Sequence, residues 1–150
     1  MSICEVIPKL RLLKAVGDEP DIIMLHCGGN DIGRISVARL RFHVSRILKF
    51  IEHNFNARVV WSEILPRKVW RYSANNNAME AVRKRLNNFA ATQTIRRNGF
   101  YVKHPDLKDL EDALYIVDGV HLTFLGNCIF LNQLSSAFLV FKSGKSVCFK

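Results

Sequence analysis

Asp118 and His121, in the stretch DGVHLT (118–123), place a carboxylate three residues before an imidazole. At that spacing, at the entry to a helix, the carboxylate can accept a hydrogen bond from one ring nitrogen. The tautomer is then fixed and the other nitrogen is left free as a general base. Asn30, in LHCGGNDIG (25–33), is different in kind. Its side-chain amide can donate two hydrogen bonds and carries no charge, as a donor to a developing oxyanion must. Gly28 and Gly29 let the backbone come close to a bound group. Each motif alone has a plainer reading: a surface Asp beside a packing His, and a glycine turn in which Asn30 satisfies its own loop.

The elements that must position these residues alternate along the chain. Val6, Leu10, Leu13 and Val16 recur at helical spacing and predict a short helix over 5–16. GDEPD (17–21) reads as a turn, and IIMLHC (22–27) as a strand buried on both faces. Ser36 is placed to cap a helix whose apolar stripe runs through Val37, Leu40, Val44, Ile47, Leu48, Ile51 and Phe55. ARVVWSEI (57–64) is a second strand, stopped by Pro66. A long helix is expected over 75–98 with Met79, Val82, Leu86 and Phe89 inward, then a third strand over 100–104. A final apolar helix follows over about 123–141, with Thr123 as its cap. Strands separated by helices mean crossovers and a parallel sheet covered on both faces. Functional loops in such a sheet sit at the C-terminal ends of the strands, where the glycine loop lies.

Composition bounds what such a domain can be. A chain of 150 residues, 49% apolar with ten Phe and two Trp, is one domain with a packed core. Its apolar runs are too short and interrupted to span a bilayer, and charges scattered through residues 1–21 argue against a signal peptide. No membrane partner is therefore expected, and an intracellular location, cytoplasmic or nuclear, fits best. Cys4, Cys27, Cys128 and Cys148 lie far apart with no C-x-x-C pair, so free buried thiols are expected. No histidine pair has the helical spacing of metal ligands, and neither a metal nor another cofactor is expected. The net charge of +9 invites a nucleic-acid reading, but the cations are spread over Arg39–Lys49, Arg67–Arg71 and Arg83–Arg85.

A strand ending in GGND, about 90 residues of α/β chain, then DGVHLT with Gly126 close behind, together resemble the SGNH (GDSL-type) hydrolase family. The likeness is greatest to the SGNH esterase-like domains of animal reading frames, some associated with mobile elements, and VVWSEILPRKVWR (59–71) resembles their middle segment. It covers residues 20–141 of a single partial domain spanning 1–150. The resemblance implies a three-layer, flavodoxin-like parallel sheet and a serine esterase chemistry. Asn30 would be the oxyanion-hole Asn, Asp118 and His121 the acid and base of the triad, and Asp31 a brace for the loop. His26, His43, His53 and His104 match no catalytic position.

The chain departs from the family at the nucleophile. The family's serine follows a strand well upstream of the GGND strand, and a Gly donor lies between them. Here the 21 residues before the first buried strand contain Ser2 and no strand–turn setting to aim a hydroxyl at His121. Ser36, Ser45, Ser62 and Ser73 are misplaced, Ser62 least so because it lies near a strand end. Cys27 reads as a small buried hydrophobe. Three readings follow: an esterase-like domain inactive for want of its nucleophile and first strand or strands; a non-catalytic basic module binding nucleic acid or another acidic partner; and an esterase with an improvised nucleophile. Strand 22–27, left as an uncharged apolar edge, invites self-association.

Overall fold

The computed structural model describes residues 1–17 and 19–150. Four strands, β1 (Ile22–Leu25), β2 (Arg58–Ser62), β3 (Phe100–Val102) and β4 (Cys148–Phe149), form one sheet in the order β1-β2-β3-β4. All three pairings are parallel, with Met24 opposite Val60 and Trp61 opposite Tyr101. Helix α1 (Val6–Val16) precedes β1, and α2 (Val37–Asn54), α3 (Asn76–Ile95) and α4 (Phe124–Lys142) run between successive strands.

The pleat sorts the side chains into two layers of core. Ile23, Leu25, Trp61 and Tyr101 share one core with Val6 and Leu10 of α1, Leu40, Val44 and Leu48 of α2, and Leu86 of α3. On the other face Val60, Phe100 and Val102 pack against Leu134, Ala137 and Phe141 of α4. The Phe100 and Phe141 rings stack at 4.4 Å. Each of the Val, Leu, Ile and Phe side chains among these, taken out of water, contributes about 1.5–3 kcal/mol. The α2 stripe is buried from Leu40 to Phe55, and Ser36 Oγ accepts the Arg39 N–H as its cap.

Several expectations are corrected. β1 is not buried on both faces: Ile22 and Met24 are 43% and 41% exposed. An edge strand is covered only where a helix layer reaches it, and only the Ile23–Leu25 face is covered. β4 was not expected, because two residues after a helix carry no periodicity. β1, β2 and β3 are each shorter than the expected segments 22–27, 57–64 and 100–104, whose remaining residues lie in the loops. In α3, the inward positions include Arg83, Asn87 and Thr94, while Met79, Val82 and Phe89 are only partly buried. Arg83, counted above among spread surface cations, is buried and ion-paired with Glu80 at 2.6 Å. Helix α4, against the expectation for apolar runs, is long and apolar enough to cross a membrane by length and composition. Its Leu134–Phe141 side lies on the sheet, and Phe124, Leu131 and Leu139 remain exposed. Gly17 ends α1 in the left-handed region at φ 94°, whereas Asp18 of the expected 17–21 turn lies outside the described residues.

Candidate active site

The segments following β1, β2 and β3 converge beyond the C-terminal ends of the strands. They line a cleft of about 570 Å³ whose wall includes Asn30, Arg67, Trp70, Asp118 and His121. The two motifs, 88 positions apart in sequence from Asn30 to Asp118, thus share one space.

Asp118 and His121 are paired as their spacing suggests. His121 Nδ1 donates to Asp118 Oδ2 at 2.5 Å, so Nε2 is the nitrogen left free. Asp118 Oδ1 accepts the backbone N–H groups of Val120 at 2.8 Å and His121 at 2.9 Å. The imidazole bond and these two backbone donors hold the Asp118 carboxyl down at about 2. The loop itself is clamped. Tyr115 and Leu122 bridge in antiparallel fashion, Gly119 turns at φ 66°, and its carbonyl accepts Lys68 N–H at 2.8 Å. Thr123 Oγ1 accepts Gly126 N–H at the head of α4 and donates to Ala113 O at 2.7 Å. Gly126 is required here, since a Cβ would stand 2.4 Å from the Leu114 carbonyl oxygen.

Asn30 is oriented by a residue that sequence reasoning missed. Arg67 Nη2 donates to Asn30 Oδ1 at 2.8 Å. With its oxygen so occupied, the Asn30 amide is left with its NH2 to donate, the polarity an oxyanion donor requires. Gly29 makes room, because a Cβ there would meet Arg67 Nη2 at 2.8 Å. Gly28 turns the chain at φ 98°. The guanidinium also lies over the Trp70 ring at 5.4 Å. The start of its loop is gripped from α3: Asn87 both accepts from Ile64 N–H and donates to Ile64 O, and Arg83 Nη1 donates to the same oxygen at 2.6 Å. Polar residues at inward helix positions were the available signal for that grip.

Asp31 is fully buried and ties the glycine loop to the start of the chain. Its carboxylate accepts Ile3 N–H at 2.7 Å and Ser2 Oγ–H at 2.8 Å, and pairs with Arg34. Burial pushes its carboxyl up, but these three donors outweigh that and hold it below the usual range. Ser2 lines the cleft, yet its hydroxyl donates to Asp31 and accepts from Arg34 rather than facing His121.

Ser62 is fully buried at the end of β2 and belongs to a hydrogen-bonded chain. Gln133 Nε2 donates to Asp106 Oδ2 at 2.7 Å, which turns the Gln133 oxygen toward His104 Nδ1 at 3.0 Å. His104 Nδ1 must then donate, so Nε2 accepts the Ser62 hydroxyl at 2.8 Å, and Ser62 Oγ accepts from His26 Nδ1 at 2.9 Å. A hydroxyl held this way and shut from solvent is a structural link. Cys27 is likewise buried, and burial pushes its thiol up to about 12. His43 stands 3.8 Å from Cys4 Sγ, and His53 bonds the Lys49 carbonyl on the surface of α2.

Burial lowers the buried His104 to about 4, from an ordinary value near 6.5. Above pH 6.5 it is neutral both folded and unfolded, and its environment costs nothing. As pH falls toward 4 the unfolded chain takes up the proton first, so stability is lost across that window. The loss expected from His104 is on the order of 3 kcal/mol. Urea midpoints should fall steeply between pH 7 and 4.5, and His104→Gln should flatten the slope. An unchanged slope would show that His104 is not held neutral.

No protein-family model and no curated protein sequence matches the chain. Solved structures do. A catalytic mutant of the acetylxylan esterase Axe2 from Geobacillus stearothermophilus superposes with TM-score 0.69 at 11% identity, over 91% of this chain and 67% of that one. A protein assigned to the SGNH hydrolases from Slackia heliotrinireducens gives 0.69 at 16% identity, over 92% and 79%. One assigned as an acylhydrolase from Bacteroides fragilis gives 0.66 at 18%, over 90% and 66%. At these identities the likeness is one of fold, and the fold is that of the SGNH hydrolases.

Proposed function

We propose that this SGNH-type fold carries the acid–base half of an ester-hydrolysing site and does not turn over esters by itself. The observation behind this is the shared cleft, in which His121 Nε2 is freed by Asp118 and the Asn30 amide is turned by Arg67 to donate. In a complete site, a serine hydroxyl would lose its proton to His121 Nε2 as it attacked the acyl carbon. Asp118 would stabilise the imidazolium, and Asn30 would donate to the developing oxyanion. Among the described residues no serine hydroxyl is bonded to His121, and Ser2 is committed to Asp31 and Arg34. Loss of the nucleophile costs about 10⁶ in turnover in comparable triads.

Hydrolysis of p-nitrophenyl acetate should accordingly be no faster with this chain than with His121→Ala, and a fluorophosphonate probe should leave no adduct. Turnover that vanishes in His121→Ala, or an adduct on any serine, would mean that a nucleophile has been improvised. A non-catalytic binding role is the second reading, and the surface of α2 favours it.

A further inference from the structure

We propose that the outer face of α2 binds single-stranded nucleic acid, with Arg39, Arg46 and Lys49 on phosphates and Phe42 stacked on a base. The residues 39, 42, 46, 49 and 53 recur at spacings of three and four, so they share one exposed stripe within an arc of about 80°. From Arg39 to His53 the stripe is about 21 Å long at 1.5 Å per residue. That length passes several phosphates of a nucleic-acid strand.

The stripe is unlike a solvated helix face in two respects. Its cations are unneutralised: among the described residues none of Arg39, Arg46 or Lys49 has an ion pair. The single acidic residue of α2, Glu52, lies off the stripe and pairs with Arg97 at 3.5 Å. Phe42 sits among these cations and is 58% exposed, while the apolar side of the same helix is fully packed without it. Arg46 lies 5.6 Å from the Phe42 ring centre, and on the neighbouring helix Arg11 lies 5.9 Å from that of Phe50. One exposed ring in a row of cations suits a strand whose bases are unstacked, since stacking is indifferent to sequence and the phosphates meet the arginines. A lipid surface would call for a broad apolar face instead. The stripe is independent of the acid–base pair and of the reading built on it.

The test is fluorescence anisotropy with a labelled 20-nucleotide oligothymidine between 50 and 200 mM NaCl. Three phosphate contacts predict a log–log slope of about −2, a loss of about 20-fold over that range. Arg39→Ala, Arg46→Ala and Lys49→Ala combined should flatten the slope and weaken binding at least about tenfold at 50 mM salt. A control removing the same charge from exposed positions elsewhere, Lys108→Ala with Lys142→Ala and Lys145→Ala, should bind as the parent does. Phe42→Ala should weaken binding about 5- to 150-fold and leave the slope unchanged. Equal losses in both triple variants would reduce the effect to net charge and overturn the proposal. So would tighter binding to a duplex with no dependence on Phe42, or binding to phosphatidylserine vesicles but not to the oligonucleotide. All these positions are exposed, and circular dichroism of each variant checks that it remains folded.

Discussion

Fused ahead of Met1 to the strand, nucleophile turn, helix and Gly-bearing loop of a working SGNH esterase, this chain is expected to hydrolyse activated esters. The expectation rests on what is already in place: a free His121 Nε2, an Asp118 carboxylate held by three donors, and an Asn30 amide turned by Arg67. The added segment would supply a hydroxyl facing His121 and backbone donors to the oxyanion beside Asn30. Triad members act as a unit, so replacing the grafted serine by Ala and His121→Ala should each cost about 10⁶ in turnover, and together little more. Asn30→Ala should cost about 10²–10³, because it removes one donor of several. Arg67→Met should cost less than Asn30→Ala, since Arg67 orients the donor without replacing it. A folded fusion that is inactive, or active without His121, would remove the catalytic reading and leave the α2 surface as the functional one.

The second large effect concerns association. Purified chain should form dimers and larger species as concentration rises, through pairing at β1. In the described sheet β1 has β2 on one side only, which leaves a row of backbone donors and acceptors open on the other. Ile22 and Met24 add an exposed apolar margin to that row, with no charge between Ile22 and Leu25 to discourage a partner. Lysine at both positions should shift the population to monomer with little loss of stability, because both side chains are already over 40% exposed. Light scattering across a concentration series decides the matter. A parent chain that stays monomeric, or a double lysine variant that associates equally, would rule out this edge as the contact.

How much of this could be read from the residues alone differs by element. The helices were legible because an apolar stripe repeats over several turns: the α2 stripe is buried from Leu40 to Phe55, as its spacing requires. The caps at Ser36 and Thr123 were legible because capping is chemistry between residues three apart. The Asp118–His121 pair was legible for the same reason. β4 was not, being two residues long, and Arg83 was misread because a buried polar residue looks like a surface one until its partner is known.

The sequence by itself determined what depends on neighbours along the chain: the order of elements from α1 to α4, the glycine turn before Asn30, and the freed nitrogen of His121. Only the tertiary structure decided which distant groups meet. Arg67 reaches Asn30 across 37 positions, and Asp31 receives Ser2 and Ile3 across 29 and 28. The His26–Ser62–His104–Gln133–Asp106 chain joins the segments just after β1 and β3 to β2 and α4 through single residues that carry no local pattern. The physical reason is range. A cap, a turn or a helical stripe lowers the free energy of a short segment and so leaves a periodic trace in it. A hydrogen bond across the sheet is set by strand register and packing, which no window of local sequence contains.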